Sequence, residues 1–342
     1  MNYFRAGKLN HDFLESMIKR FVADLSIQDE RIINGSMIGE DAAVIDDGDK
    51  YLVAKTDPIT FATDEIGYYV VNVNVNDVVC TGAIPKWFQT TILLPEKKTD
   101  DSLVEKVFRS VYNACKTFDI SIIGGHTEVS TGLPRPVLVG HLLGEVEKED
   151  LVLTSGAEPG NSLILTRGVF IEGTSIIARE RSNTLVEHNF SKEFIEKCKN
   201  FLYDPGISVY EEALLANKHF NINSMHDPTE GGLYCGIAEM AMASNCGVLI
   251  DESRINIFEE SKALSEIFDL NPMNTITSGA LLIAIEEESS SALVNLLRER
   301  DIPASRIGKF TEKQQGLRLK KANEITQLQY TEIDEITKIF QE

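Results

Sequence analysis

Acidic residues in this 342-residue chain recur where an apolar run stops or a turn begins. Gly39-Glu40-Asp41-Ala42-Ala43 is a glycine turn carrying two carboxylates just before an apolar segment, and Asp57 follows the apolar run 51–55, "YLVAK". Asp77 comes after Asn76 in a long valine- and asparagine-rich stretch, and Asp227 precedes Pro228 in "HDPTEGG". Strand ends sit at the rim of a sheet, where side chains converge in clefts. Carboxylates in contact repel by about 1 kcal/mol per pair even in water, so a converging set needs a cation. All-oxygen ligation suits Mg²⁺, which commonly arrives with a phosphorylated substrate. The competing reading is plain turn chemistry, since Asp-Pro and Asp-Gly make good turns and the chain holds 53 acids.

The stretch "ISIIGGHTEVSTG" (120–132) poses a second choice. Gly124-Gly125 either lets the backbone approach phosphate oxygens or supplies positive φ at a tight corner. His126 and Glu128, one residue apart on a strand, would share a face, yet no third His or Cys lies nearby to complete a zinc site. Cys80 in "VVCTGAIP" and Cys235 in "GGLYCG" are flanked by apolar and small residues, which predicts packed thiols. "HDPTEGG" brings together His226, Asp227 and Glu230, but the sequence has no G-x-S-x-G nucleophile motif and no Walker A motif.

The elements that must position these residues alternate along the first half. Runs 51–55, 87–94, 120–123 and 137–143 read as strands, and 102–118 as a helix with Leu103, Val107, Val111 and Ala114 on one face. The segment 68–85 reads two ways. Valines 71, 73 and 75 alternate with asparagines, a strand pattern. As a helix it would align Ile66, Tyr69, Val70, Val73 and Asp77, with Gly82 as its cap. Residues 146–161, charged and then Gly/Pro-containing, predict a boundary between domains 1–150 and 151–342. Beyond it, 162–166, 247–250 and 281–285 read as strands and 174–180, 207–215, 232–243 and 289–298 as helices. The tail 330–342 reads as a short acidic helix. The fold class is α/β or α+β in two halves.

Composition excludes some partners. A net charge of -20 without any basic cluster argues against nucleic acid or an anionic membrane surface. Five scattered cysteines without C-x-x-C, and no signal-like or membrane-spanning apolar run, predict a reduced, cytoplasmic protein.

Taken in order, "GEDAAVI" (39–45), "KTDPIT" (55–60), "NVNDVVCTGAIP" (74–85), "GGHTE" (124–128), "SGAEPGNSLILTRG" (155–168) and "DPTEGGL" (227–233) resemble the aminoimidazole ribonucleotide (AIR) synthetase, or PurM-like, superfamily. Nearest is the group of hydrogenase maturation protein HypE and HypE-like AIR synthase-related proteins. The resemblance implies an N-terminal ATP-binding half whose four-stranded sheet pairs with a partner's in a homodimer barrel, and a C-terminal α/β half. It also implies that 66–82 is a helix whose asparagines and Asp77 face a nucleotide. ATP and Mg²⁺ are the implied cofactors. By the same resemblance, Asp41, Asp57, Asp77, Glu128 and Asp227 would hold metal, and Asn76, Gly124, Gly125 and Thr127 would bind nucleotide. Asp77 and His126 would act at the chemistry.

The chain departs from that pattern at three places. Gly-Gly-His stands where HypE and thiamine-monophosphate kinase usually have Gly-Gly-Asp, which turns position 126 from metal ligand to phosphate contact. Ser278 stands where HypE has a glutamate before its late strand. The sequence ends "TKIFQE", with Cys246 its last cysteine, so the thiol on which HypE forms thiocyanate is not expected. The leading expectation is a Mg-ATP-dependent enzyme that activates an amide, carbonyl or phosphate-acceptor substrate. A non-catalytic nucleotide-binding scaffold and a small-molecule kinase are the alternatives.

Overall fold

The computed structural model describes residues 8–22, 29–37, 39–60, 62, 64–331 and 333–340. They fall into two units: Glu30–Gly35 with Asp41–Leu151, and Met1–Asp29 with Ser36–Glu40 and Val152–Glu342. Helix α1 (His11–Phe21), N-capped by the Asn10 side chain, therefore belongs with the C-terminal part of the chain.

Among the described residues the first unit is a six-stranded sheet backed by two helices. Its strands are β1 (Ile32–Asn34), β2 (Ala43–Asp46), β3 (Lys50–Ile59), β4 (Ile84–Pro95), β5 (Ser121–Ser130) and β6 (Val137–Glu147). They lie in the order β1-β2-β3-β6-β4-β5, antiparallel except for the β4–β5 pair. The resemblance implies four strands; the described sheet has six, with the short β1–β2 pair at one end. Helix α2 (Ile66–Cys80) settles the ambiguous stretch. Every residue in it but Tyr68 is buried, so its pattern of apolar residues carries little periodicity. Its asparagines turn inward on the helix itself: Asn72 Nδ2 donates to Tyr68 O and Asn74 Nδ2 to Val70 O, both at 2.8 Å. Helix α3 (Asp101–Thr117) starts at an Asp100 cap and buries Val107, Val111 and Ala114.

Two expectations are corrected here. Asp57 does not end a strand, because β3 continues to Ile59. Pro58 is tolerated there because β2 pairs only with Tyr51–Ala54, leaving that flank of β3 unpaired among the described strands. Gly124 and Gly125 are not a turn either: β5 continues through them after a bulge at Ile123, paired to Gln89 and Thr90 of β4. A Cβ on Gly125 would sit 2.2 Å from the Thr90 carbonyl oxygen, so the close approach of two strands requires glycine.

The second unit has seven strands: β7 (Ser162–Thr166), β8 (Ile222–His226), β9 (Gly247–Asp251), β10 (Leu282–Ile285), β11 (Ala304–Thr311), β12 (Leu317–Lys321) and β13 (Glu324–Gln327). Their order is β13-β12-β9-β11-β7-β10-β8. Besides α1, its helices among the described residues are α4 (Ile171–Glu180), α5 (Ser182–Glu187), α6 (Lys192–Asn200), α7 (Tyr210–His219), α8 (Gly232–Ala243), α9 (Glu259–Ile267) and α10 (Glu287–Arg298). Strands β7 and β10 and most of α8 are buried. The helix expected at 207–215 starts three residues later. The tail forms a 3-10 turn over Glu335–Phe340, while 332, 341 and 342 lie outside the described residues.

Candidate active site

In the first unit the chemistry gathers between α2 and β3. Asn74 ties the two together, accepting a hydrogen bond from Asp57 N at 3.0 Å. Gly140 of β6 permits the contact, since a Cβ there would meet Asn74 Nδ2 at 2.4 Å. On this clamp stand Lys55 and Asp57, two residues apart on the helix-facing side of β3, and Asp77 on α2. The Lys55 ammonium lies 3.0 Å from Asp77 Oδ1 and 3.4 Å from Asp57 Oδ2. Burial alone would lower the Lys55 pKa, but the Asp77, Asp57 and Asp41 carboxylates outweigh it and hold the ammonium charged well above its usual range. Three of the expected metal positions thus share one neighbourhood, and a lysine that sequence reasoning passed over already stands among them. Its signal was present in "KTD", a cation two residues before an acid on a strand.

Within this unit His126 and Glu128 separate from these acids. One row of the sheet runs Asp57, Gly140, Thr90, Gly125, and the next runs Pro58, Val139, Thr91, His126. Side chains alternate between faces along a strand, so His126 and Glu128 project from the face opposite Asp57. They bond each other, His126 Nε2 to Glu128 Oε2 at 3.0 Å, and both are exposed. The Ser130 hydroxyl and then His126 hold the Glu128 carboxyl below its usual range. Glu128 therefore does not join Asp41, Asp57 and Asp77 within this unit. Thr127 lies on the helix-facing side with Gly125, on an exposed strand. Asn76 is fully buried, as are Asn72 and Asn74, so the asparagines do not form one nucleotide-facing row; three positions two apart on a helix point in different directions. Glu40, next to Asp41, belongs to the second unit, where it accepts hydrogen bonds from Thr154 N and Ser155 N.

In the second unit Asp227 follows β8 and is 2% exposed. Two further acids were missed. Glu172, near the start of α4, is buried beside Ser278, and burial pushes its carboxyl up to about 8 against the Ser278 hydroxyl. Asp334 accepts hydrogen bonds from Gly231 N and Ile336 N at 2.7 Å, yet burial still raises it to about 7. An acid thus stands beside Ser278, where the family resemblance had led to expect a glutamate in the chain itself; it comes from α4. Nothing in the local sequence signals it, because Glu172 and Ser278 are brought together only by the fold.

A buried helix clamped to a mixed sheet, followed by a second α/β unit, is the two-domain PurM-like architecture. The chain belongs to the AIR synthase related family: residues 39–146 match its N-terminal domain and 158–320 its C-terminal domain. A Methanocaldococcus jannaschii protein provisionally named for hydrogenase expression/formation is 29% identical over 63% of this chain and 62% of its own length. Thiamine-monophosphate kinase of Bacillus subtilis is 29% identical over 56% of each chain. The chain thus spans less than two thirds of the length of these relatives. Among solved structures, hydrogenase maturation protein HypE in complex with ATP superposes with a TM-score of 0.71 at 20% identity, over 97% of this chain and 100% of that one. AaThiL complexed with AMPPCP and TMP gives 0.70 at 20% identity, over 93% and 97%. Among the described residues no helix is long and apolar enough to cross a membrane.

Proposed function

We propose that this chain is a Mg-ATP-dependent enzyme of the HypE-like branch, transferring a phosphoryl group to an amide, carbonyl or phosphate-acceptor substrate. One observation carries the reading: Lys55 is held among Asp41, Asp57 and Asp77 on the α2–β3 clamp. One ammonium against three carboxylates leaves a net charge of -2 (one minus three), which a single Mg²⁺ neutralises. The oxygen donors suit that ion. Asp41, Asp57 and Asp77 would hold it, and it would carry the nucleotide phosphates and offset charge on the transferred group. Lys55 holds the Asp57 and Asp77 side chains aligned in a partly dry site, so little reorganisation is needed when phosphate arrives. The ATP complex of the HypE structure and the AMPPCP complex of AaThiL support this reading by analogy of fold.

The test is calorimetric titration of ATP with and without Mg²⁺ into the wild type and Asp77→Asn. Mg²⁺-dependent binding, weakened at least tenfold in the variant, is the expected result. Absence of ATP binding by wild type under both conditions would sink the proposal. Similarity to thiamine-monophosphate kinase favours a small-molecule kinase as the second reading. ATP consumption that starts only on adding a metabolite acceptor would single it out, and binding without turnover across acceptors would favour the scaffold.

A further inference from the structure

A second polar cluster lies wholly within the second unit. Its centre is Glu239 on α8, whose Oε1 is 3.2 Å from His11 Nε2 of α1 and whose Oε2 is 3.3 Å from His226 Nε2 at the end of β8. Cys235 precedes Glu239 by four residues, so both project from one face of α8. Its Sγ, a His11 ring nitrogen and a Glu239 oxygen all lie within 4.8 Å of one another. All four side chains belong to residues at least nine-tenths buried. Lys8 Nζ reaches the same carboxylate at 3.3 Å from a side chain that is 34% exposed.

We propose that His11, His226, Cys235 and Glu239 form a binding site for a zinc-class divalent cation, and that Lys8 neutralises Glu239 when the metal is absent. Donors around one zinc ion, at roughly 2.0–2.3 Å from it, stand about 3.5 Å apart. The His11, Cys235 and Glu239 donors need to contract by about an ångström to reach that spacing, and His226, bonded to Glu239, would swing in as the fourth. Two nitrogens, one sulfur and one oxygen match the ligand chemistry of zinc and exclude Mg²⁺ or Ca²⁺, which take oxygen. Charge balance points the same way. A divalent cation, one thiolate, one carboxylate and two neutral imidazoles sum to zero, so the buried pocket exchanges the neutral Lys8–Glu239 pair for another neutral set. On binding, the Cys235 S–H bond breaks and its proton passes to solvent. The Lys8 ammonium keeps its protons and moves out along its exposed stem. The metal would tie α1, β8 and α8 to one point.

The probe is Co²⁺ titrated into the full chain, reduced with a non-thiol reductant, followed by displacement with Zn²⁺. Expected is one Co²⁺ per chain with tetrahedral visible bands and a thiolate-to-cobalt charge-transfer band that Zn²⁺ abolishes. The near-isosteric Cys235→Ser should lose that band and bind at least tenfold more weakly. Cys80→Ser and Asp77→Asn should keep it. Lys8→Met should bind several-fold more tightly, because no ammonium competes for Glu239. A wild type without a stoichiometric thiolate–cobalt band, or a Cys235→Ser chain that retains it, overturns the site and leaves Lys8, His11 and His226 as a purely structural shell around Glu239. The Asp77→Asn control separates this outcome from failure of the nucleotide site.

Discussion

Individual side chains here are governed by what burial does to charge. Lys55, with 18% of its side chain exposed, stays ionised only because carboxylates surround it. Replacing it (Lys55→Met) leaves those carboxylates without their cation, which should cost about 3 kcal/mol of stability when no metal is present. Added Mg²⁺ should then recover more stability in the variant than in wild type, measured as urea midpoints with and without the ion. No recovery in either would mean that the acids do not bind metal. Glu172 makes the opposite case. Burial raises its folded pKa to about 8, so the folded state holds a proton that the unfolded chain has released by then. The sign follows: stability is fully present below the unfolded carboxyl value of about 4.5 and is lost as pH rises toward 8. Glu172→Gln should therefore flatten the decline of the thermal midpoint between pH 5 and 8.5. A residual slope should remain from Asp334, which is raised in the same direction to about 7. A variant whose midpoint falls as steeply as wild type would show that Glu172 ionises freely in the folded protein.

Pairs of elements decide which of these residues meet. The α2–β3 clamp depends on Asn74 reaching the Asp57 backbone, and on the absence of a side chain at Gly140 between them. Gly140→Ala would force a methyl group into contact with Asn74 and the Phe88 ring. The expected destabilisation is about 2 kcal/mol, in the range of overpacked cores. Nucleotide affinity should fall as well, because Asp57 and Asp77 are positioned by the elements that shift. Retained affinity together with lost stability would detach the clamp from the site. Alternation of faces on β5 does the opposite work: it sends His126 and Glu128 away from the acids with which the family resemblance had grouped Glu128.

At the level of the whole molecule, β5 is the feature that calls for a partner. It ends its sheet, pairing with β4 among the described strands, and nine of its ten residues are exposed, Ile122, Ile123 and Val129 among them. Beside it, Phe108 and Tyr112 of α3 line a groove of about 700 Å³ with Ile122 and Gly125. An apolar open edge of this kind invites strand pairing. The homodimer implied by the family resemblance is therefore proposed to form here, across β5. Sedimentation velocity should give a dimer for wild type and a monomer for the double variant Ile122→Asp, Val129→Asp. A wild-type monomer at micromolar concentration would refute the assignment of this edge.

Much of the fold was legible because apolar runs and punctuation are local. Strand β7 and helix α8 fall where their patterns put them, and α3 to within a residue, since each has one buried side or one continuous apolar run and a clear cap or glycine boundary. The valine–asparagine stretch was not legible from period alone: a helix buried on all sides carries no amphipathic signal, and only family resemblance pointed to α2. Sequence by itself determined the family, the two α/β halves and the naming of Asp41, Asp57, Asp77 and Asp227 as candidates. Tertiary structure decided the rest. It placed Lys55 among those acids, turned Gly124-Gly125 from a corner into strand, and brought Glu172 to Ser278 and His11 to Cys235 and Glu239. The physical reason is range. Hydrogen bonds within a turn or helix act over a few residues, and the chain writes them locally. Burial and charge act through space, so the residues they couple, 106 positions apart for Glu172 and Ser278 (278 − 172) and 228 for His11 and Glu239, become neighbours only when the sheet and helices close around them.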